Sequence, residues 1–383
     1  MIKKTLYPAI FLIVWHLLVL SASARLIHPK PNQTPPPTPM RASLYYQKGH
    51  TYVSGQLGKK DFKKAAKYFR MSAQLGFAKG QNEYGVLLQN GFGVEKDLET
   101  AALWFRRAAE QKLAAAEFNL GLTYRMGLGV EVDYQEALYW FKRAAAQDYS
   151  KAYTSLGLMY VNGQGVSIDY KKAYEYYLMG AKLGNTRAQY YVGSMLLRGK
   201  GIDANWEEAI KWYKKSARGG FIRAQNTLGN MYQNGKGVTR DFTQAISWFR
   251  LAAEQGNVLA QLNLGIHYYM GWGTDRDWEK AGHWFEKSAK GGNRRAQYNF
   301  GVLLRDGKGI DKSYKEALKW FLKAGAQGYP RASFQLGIFY EKGYGTEPNL
   351  YEARFWYEKA LEQGIEQAES ALKNLGQNMP RAP

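Results

Sequence analysis

The sequence predicts an all-α solenoid of nine helix-turn-helix repeats, closed by a C-terminal capping helix. Three observations carry that expectation. First, glycine recurs every 36 residues, at Gly49, Gly85, Gly121, Gly157, Gly193, Gly229, Gly265, Gly301 and Gly337, and a second glycine follows each by six, from Gly55 to Gly343. Nine copies in one register without insertion describe one stacked array, not a string of independent domains. Second, apolar residues fall at helical spacing twice in each copy. Ala116, Leu120 and Tyr124 make one stripe, and Ala137, Trp140, Phe141, Ala144 and Ala145 make a broader one. Third, each pair of stripes is bracketed by capping residues.

At the N-terminus, Lys3 and Lys4 precede a mostly apolar run from Leu6 to Leu20, followed by Ala22-Ser23-Ala24. These are the charged, apolar and small-residue parts of a secretory signal peptide, assigned to residues 1–24. The run falls short of the roughly 20 residues of a spanning helix. Cleavage after Ala24 is expected to expose Arg25 and deliver the chain to the periplasm or the exterior; a retained leader acting as an anchor is the alternative. Residues 25–40 hold six prolines and read as an extended spacer. The repeats take 41–364, and 365–383 hold the capping helix and a tail.

Within a copy, helix A is expected from about Ala116 to Met126, with Gly127 as its left-handed cap and Gly129-Val130 in the turn. Asp133 caps helix B, with Glu136 three residues on as a capping box; Asn205/Glu208, Asp241/Gln244, Ser313/Glu316 and Asn349/Glu352 repeat the signature. Helix B ends at Gly in seven copies, and Lys112 and Asp148 take that position in the other two. The first glycine of each copy lies inside helix A, where it costs about 1 kcal/mol relative to Ala. A cost repeated nine times points to close approach by the aromatic pair of helix B, as in Trp140-Phe141, Trp212-Tyr213 and Trp320-Phe321.

The pattern A-x4-G-x2-Y-x2-G-x-G-V-x2-D-x3-A-x2-W-F-x2-A-A-x2-G resembles the Sel-1-like repeat, a relative of the tetratricopeptide repeat. Residues 224–256 carry it as Ala224, Gly229, Tyr232, Gly235, Gly237, Val238, Asp241, Ala245, Trp248, Phe249, Ala252, Ala253 and Gly256. The resemblance implies a right-handed superhelix of antiparallel helix pairs and an adaptor or scaffold that binds other proteins. It also implies export, since bacterial members often act in the envelope or at a host surface.

The chemistry of the side chains narrows the function. The chain has no cysteine, which excludes disulfides, Cys-ligated metal sites and a thiol nucleophile. Its five histidines are scattered, and His267 and His283 have no ligand at helical spacing, so no metal or cofactor is expected. The Gly-x-Gly pairs follow helices, not strands, so they do not read as nucleotide cradles. Ser370 to Lys373 matches S-x-x-K but has no K-T-G or S-D-N companion. The formal net charge is +21. Basic residues cluster on the outer face of helix B, including Lys63, Lys64, Lys67, Arg106, Arg107, Lys142, Arg143, Lys211, Lys214, Lys215, Lys315, Lys319 and Lys323. They read either as a solvated outer surface or as a face attracted to an acidic polymer or anionic surface. Export argues against a nucleic-acid partner.

The position two residues before the repeat glycine never carries an aliphatic residue. It is Gln47, Glu83, Asn119, Ser155, Tyr191, Thr227, Asn263, Asn299 and Gln335. Seven residues on, the position is again largely polar (Asn90, Asn162, Arg198, Asn234, Asp306, Lys342), and the two nearly coincide around the helix. An exposed polar stripe in an inner groove is expected, with an extended protein segment as its partner. The turn residues Phe92, Leu128, Trp272 and Tyr344 suggest a second contact surface. The composite expectation is an exported, non-enzymatic scaffold. An envelope protein binding polyanions, or an enzyme or enzyme-associated factor acting on cell-wall material, are the alternatives. Oligomeric state is not legible.

Overall fold

A computed structural model describes residues 38–56 and 58–378. The stretch read as a signal peptide, most of the stretch read as a spacer and the last residues of the tail lie outside the described residues. The chain divides into two compact units, Met1–Glu131 and Val132–Pro383.

The first unit holds α1 (Thr38–Ser54), α2 (Phe62–Gln74), α3 (Ala78–Asn90), α4 (Leu98–Glu110) and α5 (Ala114–Met126). The second holds α6 (Tyr134–Ala145), α7 (Ser150–Asn162), α8 (Tyr170–Lys182), α9 (Thr186–Arg198), α10 (Trp206–Arg218), α11 (Ile222–Asn234), α12 (Phe242–Glu254), α13 (Val258–Met270), α14 (Trp278–Lys290), α15 (Arg294–Asp306), α16 (Tyr314–Ala326), α17 (Pro330–Lys342), α18 (Leu350–Glu362) and α19 (Gln367–Asn378). Odd-numbered helices are helix A and even-numbered ones helix B. Within each unit a helix packs on its neighbours in sequence, and the described residues contain no strand. The first helix opens at Thr38, inside the stretch read as spacer.

The caps explain why the helices stop where they do. Gly127 is left-handed at φ 66° and its N–H donates to the Thr123 carbonyl. Asp133 accepts from the backbone N–H of Gln135 and Glu136, and Asn205, Asp241, Ser313 and Asn349 cap their helices in the same way. The reciprocal half of the expected capping box is not made. The cap's own N–H turns to helix A, as in Asn205 N–H to Leu196 O at 2.9 Å and Asp241 N–H to Tyr232 O at 3.0 Å. That frees the acidic residue for other partners: Glu136 accepts from Trp140 Nε1 at 2.9 Å, and Glu316 from Lys319 at 2.6 Å. At the far end of helix B, Lys112 and Asp148 adopt φ of 62° and 56°, in the left-handed region that Gly occupies in the other copies.

The mid-helix glycines have the steric reason inferred from their periodicity. A Cβ on Gly229 would lie 2.5 Å from Phe249 Cδ1 and Cε1, and Gly265 and Gly301 meet Phe285 and Phe321 in the same manner. The helix A backbone is thus the floor on which the second aromatic of helix B rests. Phe249, Phe285 and Phe321 are buried there with the repeat alanines Ala245, Ala281 and Ala317. The array ends on α19, whose Ala368 and Leu375 bury against Ala353, Tyr357 and Ala360 of α18, as a capping half-repeat requires.

Candidate functional site: the helix A face

The polar stripe is not freely exposed. Gln47, in the first copy, is exposed, but Glu83, Asn119, Tyr191, Thr227, Asn263, Asn299 and Gln335 are half-buried and Ser155 is buried. The position leans on helix A of the preceding copy, and several of its side chains are used to bridge that gap. Asn119 Nδ2 donates to Asn82 Oδ1 at 2.8 Å, and Asn263 Nδ2 to Asn230 Oδ1 at 3.4 Å. Tyr191 turns instead to helix B of the preceding copy, stacking on Tyr177 of α8 with ring centroids 4.8 Å apart. Gln335 accepts from Arg305, which also holds Asp306 at 2.6 Å. The companion position seven residues on is the wetter one: Asn90, Asn162, Arg198, Asn234, Asp306 and Lys342 are all exposed.

Two hollows open on this face in the second unit. One, of about 580 Å³, is set among α13, α15 and the start of α17. Phe285 is its buried lining; Ile266, Tyr269, Tyr298, Asn299, Val302 and Tyr329 are half-buried; Met270, Arg295 and Arg331 are exposed. Tyr298 and Tyr329 pack at 5.1 Å between centroids. Burial, and Tyr329 beside it, push the Tyr298 phenol up, so it stays a hydrogen-bond donor. Arg295 and Arg331 pair with no carboxylate among the described residues. The other hollow, of about 530 Å³, contains Gln335 with Arg305, Asp306, Lys308 and Lys312, whose charges already face one another. Asn299 and Gln335 are therefore stripe residues that line hollows.

The exposed basic row that accompanies the first hollow was not evident from the stripe alone. It lies six residues before the repeat glycine, at Lys79, Lys151, Arg187, Arg223, Arg295 and Arg331, all exposed. Ala115 and Leu259 interrupt it, and its recurrence in register is the signal that exposes it.

The turn aromatics serve the array itself. Each lies on the first residue of helix B in the preceding copy: Phe92 on Phe62, Trp272 on Phe242 at 5.5 Å and Tyr344 on Tyr314 at 4.6 Å. Lys200 and Lys308 make the equivalent contact as cations over Tyr170 and Trp278. The sequence signal was present in the aromatic residue that directly follows the helix B cap in seven of the nine copies. A second lateral set runs through glutamines four residues before the repeat glycine. Gln81, Gln225 and Gln297 are buried and donate to Ala73, Ala217 and Ala289 at the end of the preceding helix B, carbonyls that also accept from the N–H of Gly76, Gly220 and Gly292. Gln111, Gln255 and Gln327 then donate to those glutamines, each at 2.8 Å.

The basic outer face is partly engaged with aromatic rings. Arg107, Arg143, Lys215, Lys287, Lys323 and Lys359 each sit over the tryptophan three residues earlier, at 4.1–4.9 Å. Lys214 lies over Tyr232 of the next copy at 5.8 Å. His267 is a packed histidine: it is fully buried, its Nδ1 is 3.0 Å from Trp272 O, and its Nε2 is 2.9 Å from Gln233 Oε1. Burial pushes its imidazole below the usual range. The bond to a carbonyl puts the proton of the neutral ring on Nδ1, which requires the Gln233 amide to present its NH2 to Nε2. His283 is exposed beside Trp284. Ser370 and Lys373 are both exposed on α19. Among the described residues, no group of three or more His, Asp or Glu side chains is placed to hold a metal ion.

Comparison with known proteins agrees with this geometry. The Sel1 repeat family model matches nine times without a gap, at 42–77, 78–113, 114–149, 150–185, 186–221, 222–257, 258–293, 294–329 and 330–365. A protective antigen of uropathogenic Escherichia coli with an SLR fold is 29% identical, over 89% of this chain and 88% of that one, with a TM-score of 0.53. A Sel1 repeat protein from Oxalobacter formigenes is 39% identical, over 56% of this chain and 88% of that one, with a TM-score of 0.54. The comparison with curated proteins gives no match.

Proposed function

Since the chain belongs to the Sel1 repeat family, whose members generally mediate protein–protein interaction, we propose that it is a non-enzymatic scaffold that holds an extended protein segment along its helix A face. The observation that carries this reading is the hollow of about 580 Å³ among α13, α15 and α17. It combines half-buried apolar and aromatic walls with hydrogen-bonding groups, the mixture that suits a peptide side chain. Flanking stripe residues supply further polar groups, so a chain laid across successive A helices meets an alternating apolar and polar surface. The family typically lacks catalysis, which fits a role in positioning a partner.

The leader adds a proposal about place. Lys3, Lys4, the Leu6–Leu20 run and Ala22-Ser23-Ala24 read as an export signal, which puts the scaffold in the periplasm or outside the cell. No described helix is long and apolar enough to cross a membrane.

Affinity capture with the full chain from its native cell tests the binding face. A partner retained by the Lys142→Gln chain and lost by the Val302→Glu chain supports the reading. A partner lost by the Lys142 change and kept by the Val302 change contradicts it.

A further inference from the structure

We infer that the hollow bounded by Arg295, Tyr298, Tyr329 and Arg331 takes an acidic side chain of the bound segment, and that the basic row extends this preference along the second unit. The inference rests on the proposed role of the helix A face and names the chemistry of its partner. Arg295 and Arg331 are exposed, stand one copy apart at the same register, and have no carboxylate partner among the described residues. A guanidinium presents a planar fork of donors that matches a carboxylate. The Tyr298 phenol and the Asn299 amide border the same space and can donate as well. Apolar surface from Ile266, Val302 and Phe285 then accommodates the aliphatic stem of glutamate or a neighbouring apolar side chain.

The same register position is arginine at Arg187 and Arg223, also exposed and also in the second unit. Packed helices lie about 10 Å apart and an extended chain advances about 3.3 Å per residue. One acidic residue in about every three would therefore keep step with the repeats. Residues 1–37 and 379–383 contain no Asp or Glu and so offer no acidic side chain for this hollow. Charge complementarity points to a separate acidic protein segment.

The test is selection of a displayed library of random twelve-residue peptides by the full chain, run in parallel on three proteins. They are the unaltered chain, Arg295→Glu/Arg331→Glu, and the charge-matched outer-face pair Lys142→Glu/Lys315→Glu. Both doubly substituted chains change exposed residues, and unchanged far-ultraviolet dichroism verifies that they fold. The unaltered chain and the outer-face variant are expected to enrich peptides with Asp or Glu three apart. The Arg295/Arg331 variant should lose that enrichment and bind the selected peptides about tenfold more weakly, the scale of one lost charge-assisted contact. Peptides selected without acidic enrichment, but lost on Val302→Glu, overturn the acidic preference and leave the face as a binding surface. Equal losses in both charge variants, or no selected peptide, overturn the inference and the helix A reading together.

Discussion

Asn119 of one helix A donates to Asn82 of the helix A before it, 37 residues away, at 2.8 Å. A residue that a helical wheel would leave facing solvent is instead a strut between copies. Asn299 occupies the same register but lines a hollow. The two should therefore respond differently to one substitution. Asn119→Arg is expected to cost about 1 kcal/mol, the net value of a typical intramolecular hydrogen bond, whereas Asn299→Arg should leave stability nearly unchanged. Denaturant melts of the two variants decide this, and equal costs would count against the distinction.

Gly229 carries the close contact with Phe249. Gly229→Leu should overpack that contact at a cost of about 1–3 kcal/mol. Because repeats couple to their neighbours, faster hydrogen exchange is expected first in α9 to α13. Uniform loosening from α7 to α18 would contradict nearest-neighbour coupling.

Lys112 holds a left-handed backbone at φ 62° without the freedom of glycine. Lys112→Gly should relieve a strain of about 1–2 kcal/mol, partly offset by the greater entropy of glycine in the unfolded chain, and so stabilise by about 0.5–1 kcal/mol. Asp148→Gly should gain less, because Asp tolerates this conformation better. A lower melting temperature for Lys112→Gly would refute the strain.

These residues also mark what was legible in the sequence. Gly229 was legible because a helix-breaking residue kept at one helical position demands a steric cause, and the aromatic pair of helix B supplied one. The caps at Asp133 and Gly127 were legible because backbone groups at helix ends must be satisfied locally. The struts were not. Asn119–Asn82 and Trp272–Phe242 join residues 37 and 30 apart, and Gln225 reaches back to the Ala217 carbonyl, each between different copies. Amphipathicity within one copy cannot distinguish such a lateral contact from open solvent. The hollow at Tyr298 and Tyr329 was missed for a related reason, since it forms only where three copies meet.

His267 predicts a dependence on pH. Burial lowers its folded pKa below the ordinary 6.5, so the unfolded chain takes up the proton first as pH falls. Stability should be fully present above 6.5 and decline as pH drops from there toward the folded pKa. The loss should be concentrated around α11, α12 and α13, where Gln233, Phe242, Phe249 and Trp272 surround the ring. Hydrogen exchange at the two ends of that pH range, compared between the unaltered chain and His267→Gln, measures it. An unchanged pH response in the variant would exclude His267 as the source.

The claim that the helix A face holds a protein segment is tested most directly by site-specific photocross-linking in the native cell. A photoreactive residue replaces Asn299 on that face in one chain and Leu251, exposed on helix B, in another. The account predicts a discrete heterologous product from position 299, with the cross-link confined to one short acidic stretch of the partner, and none from position 251. Cross-linking to a partner from 251 and not from 299 would contradict it.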